Sequence, residues 1–325
     1  MARTIAIFNQ KGGVGKTTTA MNLSGYLAML GKRTLLVDLD PQFNATVGLG
    51  VKHGSDETVY HALLVNKDIH EVIKRTHLSG LDLMPASQDL AGALIELVEI
   101  PEREWQLKKL LAKVENAYDY IFIDLGPSLN LLTINGLIAA DEVIAPIQCE
   151  YYSLEGLSQL LETLSLIRNN LNHPLTIRGG LLTMYDKREK LSREVAREIR
   201  KRFPYKVYDV EIPRSVALAE APSFQKPIML YAPQSPGALA YEHLARELLA
   251  SEKETEKEEE LVHSNFWESE KKTAKESFPE TDSEKTDFGT YYFSNDSRIP
   301  KEKESVSLLT EKREETPFMI HIHEE

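Results

Sequence analysis

The sequence predicts an α/β fold, a mostly parallel β-sheet with helices on both faces. Two observations carry this. Over the first 250 residues, short β-branched runs alternate with longer helical patterns, as chained βαβ units do. Two of the runs, Tyr120–Asp124 and Glu142–Pro146, are almost continuously apolar, which suits strands covered on both faces.

In chain order, strands are expected at Thr4–Phe8, Thr34–Asp38, Asp82–Pro85, Tyr120–Asp124, Glu142–Pro146, Arg178–Met184 and Lys206–Val210. Helices are expected at Lys16–Leu30, Gln88–Val98, Glu104–Asn116, Leu129–Ala139, Ser153–Leu171, Ser192–Phe203 and Pro236–Ala250, with Gly31 stopping the first. After Ala250 the texture changes to Glu, Lys, Ser and Thr, opening SEKETEKEEE. Such a segment buries too little apolar surface to offset the entropy of ordering it. The expected organisation is a folded domain over 1–250 and an acidic, low-complexity, disordered tail over 251–325, with room for a short helix in its first turns.

The net charge of −12 follows the same division. Residues 251–325 hold 21 Asp and Glu against 11 Lys and Arg, leaving 29 and 27 in residues 1–250. The acidity therefore belongs to the tail and does not keep the folded part from a polyanion. Cys149 is the one cysteine, which excludes a disulfide framework and a cysteine-built cluster within one chain. The start runs into the polar Asn9-Gln10-Lys11, so no secretory signal is read. No apolar run approaches the roughly 18–20 residues that span a bilayer. A cytoplasmic protein is expected.

The strand Thr4–Phe8 is followed by NQKGGVGKTTTA and a helix. A helix N-terminus presents unpaired N–H groups and partial positive charge, which is what a phosphate needs. Gly12, Gly13 and Gly15 let the backbone curl around the anion, with Val14 between them. Lys16 can reach the β- and γ-phosphates, and the Thr17 hydroxyl can ligate magnesium, with Thr18 beside it. The fold class thus sharpens to a P-loop NTPase. The usual first glycine is absent, since Gln10 occupies its place, and a second lysine, Lys11, lies inside the loop. Asp124 ends a buried strand, where a magnesium-binding acid belongs. Asp40 lies just past the strand Thr34–Asp38, where a carboxylate can orient the attacking water. Asp38 reads as a solvated or hydrogen-bonded strand-end acid.

With these segments, residues 2–250 resemble the ParA/Soj family of partitioning ATPases, of the deviant Walker A class. The motifs are QKGGVGKTTTAMNL, LLVDLDPQFNAT, YIFIDLGPSL, LLTMYDKREKLS and IPRSVALAEAPSFQKPIMLYAPQSPGALAY. The resemblance implies ATP and Mg2+ as cofactors and slow, partner-stimulated hydrolysis. It implies that Lys11 reaches across a two-fold interface into the partner's ATP, that Lys16 binds phosphate and that Thr17, Asp40 and Asp124 serve the metal and hydrolysis. Met184 and Pro213 would flank the adenine. It further implies an ATP-dependent homodimer that binds DNA non-specifically, a ParB-like stimulating protein and a place on the nucleoid. Three positions depart from the family pattern: Gly126 for a proline, Phe43 for a glycine, and Ala217 for an arginine implicated in DNA binding.

Between Lys187 and Arg202 lie eight basic and three acidic residues. Leu191, Val195, Ile199 and Phe203 recur at intervals of four, the expected buried stripe. Arg193, Arg197, Arg200 and Lys201 then fall outside it. With Lys187 and Arg188 they form the candidate DNA surface, partly muted by Glu194 and Glu198 through pairs with Arg197 and Arg202.

Two rival functions share the scaffold. A MinD-like membrane-positioning ATPase ends in a basic amphipathic helix, whereas this chain ends EKREETPFMIHIHEE, so no stable membrane association is expected. A small-molecule ATP-dependent enzyme would bind the same nucleotide, because fold does not fix function. His321 and His323 read as bystanders in the tail.

Overall fold

The computed structural model describes residues 1–253 except 53, 55 and 152. Eight strands form one sheet: β1 Arg3–Ile7, β2 Thr34–Leu39, β3 Lys74–Arg75, β4 Leu81–Met84, β5 Tyr120–Leu125, β6 Glu142–Gln148, β7 Thr176–Tyr185 and β8 Val207–Pro213. Their order is β3-β4-β2-β5-β1-β6-β7-β8. All neighbours are parallel except the short edge pair β3 and β4, which the sequence did not signal. Seven of the strands match expectation, and the sheet is mostly parallel with helices on both faces.

The helices are α1 Lys16–Met29, α2 Asn44–Gly48, α3 Val59–Leu64, α4 Ile69–Val72, α5 Ala93–Glu96, α6 Gln106–Leu111, α7 Leu131–Ala139, α8 Ser153–Leu171, α9 Lys190–Arg202, α10 Val216–Glu220 and α11 Ile228–Tyr231. A last helix, α12, covers 236–253. The helices expected at Gln88–Val98 and Glu104–Asn116 are instead short α-helical pieces between 3-10 turns.

Alternate strand residues feed two cores. Val37, Ile121, Ile123, Val143 and Ile147 meet α6, α7, α8 and α9 on one face through Leu107, Leu137, Leu160 and Ile199. Ile5, Ile7, Leu36, Phe122 and Ile144 meet α1 and α12 on the other through Leu23, Leu27, Tyr241 and Leu244. All six residues of β5 are buried, which is why it reads as a continuous apolar run.

The helix α12 runs three residues past the expected boundary at 250. Glu252 explains this. Its carboxylate takes Arg178 Nη2 at 3.0 Å and Arg3 Nη1 at 2.9 Å and accepts the Tyr120 hydroxyl. The tail expected beyond it, with His321 and His323, lies outside the described residues. Among the described residues no helix is long and apolar enough to cross a membrane.

Parallel register puts the strand ends that matter side by side. Asp124 is level with Ile7 on one neighbour and with Asp38 on the other. From β1 the chain moves to β2 on one side, while β5 crosses over β1 to β6 on the other. A crevice at the carboxyl ends of such strands is where ligands of open α/β sheets bind.

Candidate nucleotide site

The loop between β1 and α1 is held from outside. Asn9 Nδ2 donates to the Pro146 carbonyl at 2.7 Å, and its Oδ1 accepts the Lys11 N–H at 3.0 Å. Gln10 donates to Thr163 at 2.9 Å, and Thr183 Oγ1 donates to the Val14 carbonyl at 2.9 Å. Gly13 and Gly15 adopt φ 73° and 92°, a region side chains resist. A Cβ on Gly12 or Gly13 would meet nothing within 4 Å, so the hollow beside the backbone is open to a ligand. The first turn of α1 has no side-chain cap and no acid, which leaves its N–H groups for an anion. Lys16 is buried, and its ammonium donates to the Lys11 carbonyl at 3.1 Å, inside the loop. Burial lowers its pKa, while Asp124 and Asp40 oppose that shift.

Three carboxylates lie at the carboxyl ends of β2 and β5, in different states. Asp38 is fully buried and hydrogen-bonded: Oδ2 accepts Thr46 N–H at 2.8 Å and the Thr46 hydroxyl at 2.7 Å. Burial pushes its pKa up to about 6 against those bonds. Of its two sequence readings, the hydrogen-bonded one is correct and the solvated one is not. Asp40 accepts the Gln42 N–H at 3.0 Å, and its carboxylate lies 3.4 Å from where a Cβ on Gly126 would sit. Glycine at 126 thus brings bare backbone against that acid. Asp124 is fully buried, and among the described residues neither oxygen has a hydrogen-bond partner. Burial, then the Asp38 charge, raise its pKa well above the usual range; the Thr17 hydroxyl and Lys16 ammonium pull the other way.

A buried, unpaired carboxylate opposite a threonine hydroxyl fits a hard divalent cation. Among the described residues no three His, Cys, Asp or Glu converge to hold a metal unaided. That suits Mg2+, which typically keeps waters and shares a substrate's phosphates.

Beside the loop is a cavity of about 230 Å³ lined by Gly15, Thr18, Met184, Pro213, Leu218 and Tyr241 among others. Strand β8 runs to Pro213, three residues longer than expected, and delivers it there. Met184 takes φ 51°, a left-handed conformation that costs a non-glycine residue about 1–2 kcal/mol. Phe43 does the same at φ 44°, so the side chain adopts the turn that glycine would take freely. Thr183, Tyr241 and Arg214 escaped the sequence reading. Thr183 adjoins Met184 in LLTMY, Arg214 adjoins Pro213 in IPRSV, and Tyr241 ends GALAY, so all three lay in quoted motifs without being singled out.

Lys11 stands apart from Lys16. Its side chain is 34% exposed, and its ammonium lies 3.6 Å from Glu150. Along α9 and the turn before it the cations divide. Arg188 is bound to Asp186, and Arg193 donates to the Lys187 carbonyl. Arg200, expected to be exposed and free, turns back onto β8 and donates to the carbonyls of Tyr208 and Asp209 and to Glu211. Glu194 pairs with Lys190 rather than Arg197, and Glu198 pairs with Arg202. Lys187, Arg197 and Lys201 keep no side-chain partner among the described residues. Leu191, expected in the buried stripe, is 50% exposed, and Ser192 points inward instead.

Comparison with known proteins places this geometry. Residues 2–177 match the family described as AAA domain. The chain is 54% identical over 252 residues to the sporulation initiation inhibitor protein Soj of Bacillus subtilis, covering 77% of this chain and 100% of that one. It is 51% identical over 250 residues to the chromosome-partitioning ATPase Soj of Treponema pallidum, covering 77% and 98%. Among solved structures, cobyrinic acid a,c-diamide synthase from Mycobacterium smegmatis with bound ADP and magnesium superposes at a TM-score of 0.68. It is 39% identical and covers 78% of this chain and 96% of that one. The cell division ATPase MinD of Pyrococcus furiosus gives 0.65 at 25% identity, covering 77% and 99%.

Proposed function

Because this chain belongs to the Soj/ParA family of chromosome-partitioning ATPases, we propose that it is an ATP-dependent dimerising switch that binds DNA without sequence preference and hydrolyses ATP slowly to position chromosome, plasmid or other cargo. The observation that carries the reading is the division of labour between two lysines of one loop. Lys16 is buried and turned into its own loop, donating to the Lys11 carbonyl, while Lys11 is part-exposed at the mouth. A cation so placed gains most when a second subunit's triphosphate arrives, so ATP acts as the contact that favours the dimer.

Within each subunit, Gly12 to Thr18 cradle the phosphates, and Met184 and Pro213 flank the base. Thr17 and Asp124 would hold Mg2+, which when bound would neutralise charge developing on the phosphates. Asp40, with Gly126 leaving room beside it, orients the attacking water. Loss of the γ-phosphate removes the contact with Lys11 and releases the dimer. A ParB-like protein times that step, and the domain over 1–250 works at the nucleoid within the cytoplasm.

Lys187, Arg197 and Lys201 supply the DNA contacts. Three per subunit in a dimer give a log affinity against log salt slope of roughly −5. Ala217 packs half-buried against the core and offers none.

Light scattering with ADP and with ATP, on Asp40→Ala to slow hydrolysis, tests the switch. A dimer with ATP alone is expected, and a monomer in both overturns it. The diamide synthase likeness keeps a small-molecule reaction as the second reading, at lower identity than the partitioning relatives. Turnover that requires a metabolite and ignores DNA would favour it.

A further inference from the structure

One carboxylate joins the two sides of the nucleotide cleft. Glu150 lies two residues past β6, where its N–H donates back to the Gln148 carbonyl at 2.9 Å and the adjacent Cys149 N–H donates to Thr183. Its Oε2 is 3.6 Å from Lys11 Nζ, on the phosphate loop. Its Oε1 is 3.3 Å from Arg214 Nη2, on the wall of the base cavity, and also accepts from Gln148 Nε2. Lys11 and Arg214 are far apart in sequence, and the single acid ties both to the cleft of their own subunit.

We infer that Glu150 is a positioning residue for the switch: it holds Lys11 on its own subunit until a triphosphate draws the ammonium away. This rests on the reading that Lys11 acts across the dimer. The contact is weak by design of its surroundings, since Lys11 is 34% and Glu150 45% exposed. Exposed pairs of this kind shift an equilibrium by up to about fivefold. That is too little to block the arrival of a polyphosphate and enough to disfavour pairing without one. A nucleoside diphosphate, lacking the γ-phosphate, leaves the Lys11–Glu150 pair intact. The acid therefore sharpens the response to triphosphate rather than adding to the affinity for it. Removing it frees Lys11 in advance, and each dimer contains two copies, so a two- to fivefold effect per subunit compounds to about 4–25-fold.

The test uses the full chain carrying Asp40→Ala, with Glu150→Gln and separately Glu150→Ser, in ATP and magnesium. The dimer dissociation constant, from light scattering over a protein dilution series, should fall by about 4–25-fold at low salt, and the gain should shrink as salt screens the pair. In the nucleotide-free subunit, amine labelling of Lys11 should speed up in both variants, which a purely structural role for Glu150 would not produce. A parent that dimerises while both variants keep or raise its dissociation constant overturns the inference and leaves the switch standing. A parent that stays monomeric with ATP removes the switch and the inference with it.

Discussion

Asp124→Asn should make the nucleotide-free protein more stable while removing its response to magnesium and ATP. The carboxylate is fully buried, has no hydrogen-bond partner among the described residues, and is level with Asp38 on the adjacent strand. A buried unsatisfied polar group costs about 1–3 kcal/mol, and more when charged. Taking about 2 kcal/mol for the relief on neutralisation, a domain of this size should gain roughly 4–8 °C in melting temperature. The sign with pH follows from the raised pKa. The folded parent holds a proton that the unfolded chain releases above about pH 4, so the parent loses stability as pH rises from there to the folded pKa. The advantage of the variant should therefore be absent near pH 4 and grow as pH rises towards the folded pKa. Saturating nucleotide at about 100-fold over its dissociation constant adds about 2.7 kcal/mol to the parent, so with Mg-ATP the order should reverse. Differential scanning fluorimetry from pH 4 to 8, with and without Mg-ATP, measures all of this. A nucleotide-free variant that melts below the parent at pH 7.5, or gains as much at pH 4, refutes the account of Asp124 as a desolvated charge awaiting a cation.

The cations of α9 should separate in a salt series. Arg197→Ala with Lys201→Ala removes four contacts per dimer and flattens the DNA-binding slope by about 3.6, whereas Arg200→Ala leaves the slope and lowers the melting temperature, because it uncaps the Tyr208 and Asp209 carbonyls. His173 is buried, donates Nε2–H to the Ala140 carbonyl at 2.8 Å and leaves Nδ1 without a partner among the described residues. Burial lowers its pKa, so below about 6.5 the unfolded chain takes up a proton that the folded state resists, and stability rises with pH through that window. Asp38 leans the other way below about pH 6, so the His173→Asn minus parent difference in urea-unfolding free energy between pH 5 and 7 isolates the histidine; a flat difference refutes its role.

What could be read directly was what the chain places close together. Gln10 to Thr18 are contiguous, a loop running into the first turn of α1, so the candidate phosphate site needs no distant partner. Asp124 and Asp38 close strands whose apolar runs announce them. The phase of α9 was read less well. Residues four apart drift by about 40° around a helix at each step, so a stripe from Leu191 to Phe203 spans about 120°. Only its middle, Val195 and Ile199, faces the core, with Ser192 and Ala196 filling the same arc. Phe203 is buried from beyond the last helical turn, where the backbone is already extended.

The sequence by itself determined the fold class, the phosphate loop and the acids at the strand ends, because periodicity, glycine spacing and strand termini are local properties. Tertiary structure alone decided which charges are free. Arg200 is turned onto β8, Lys11 and Arg214 share Glu150, Glu252 fastens α12 to Arg3 and Arg178, and Asp124 is left without a hydrogen-bond partner among the described residues. Those outcomes depend on groups brought together from distant parts of the chain, and a charge's partner is set by distance in space, which residue order does not specify.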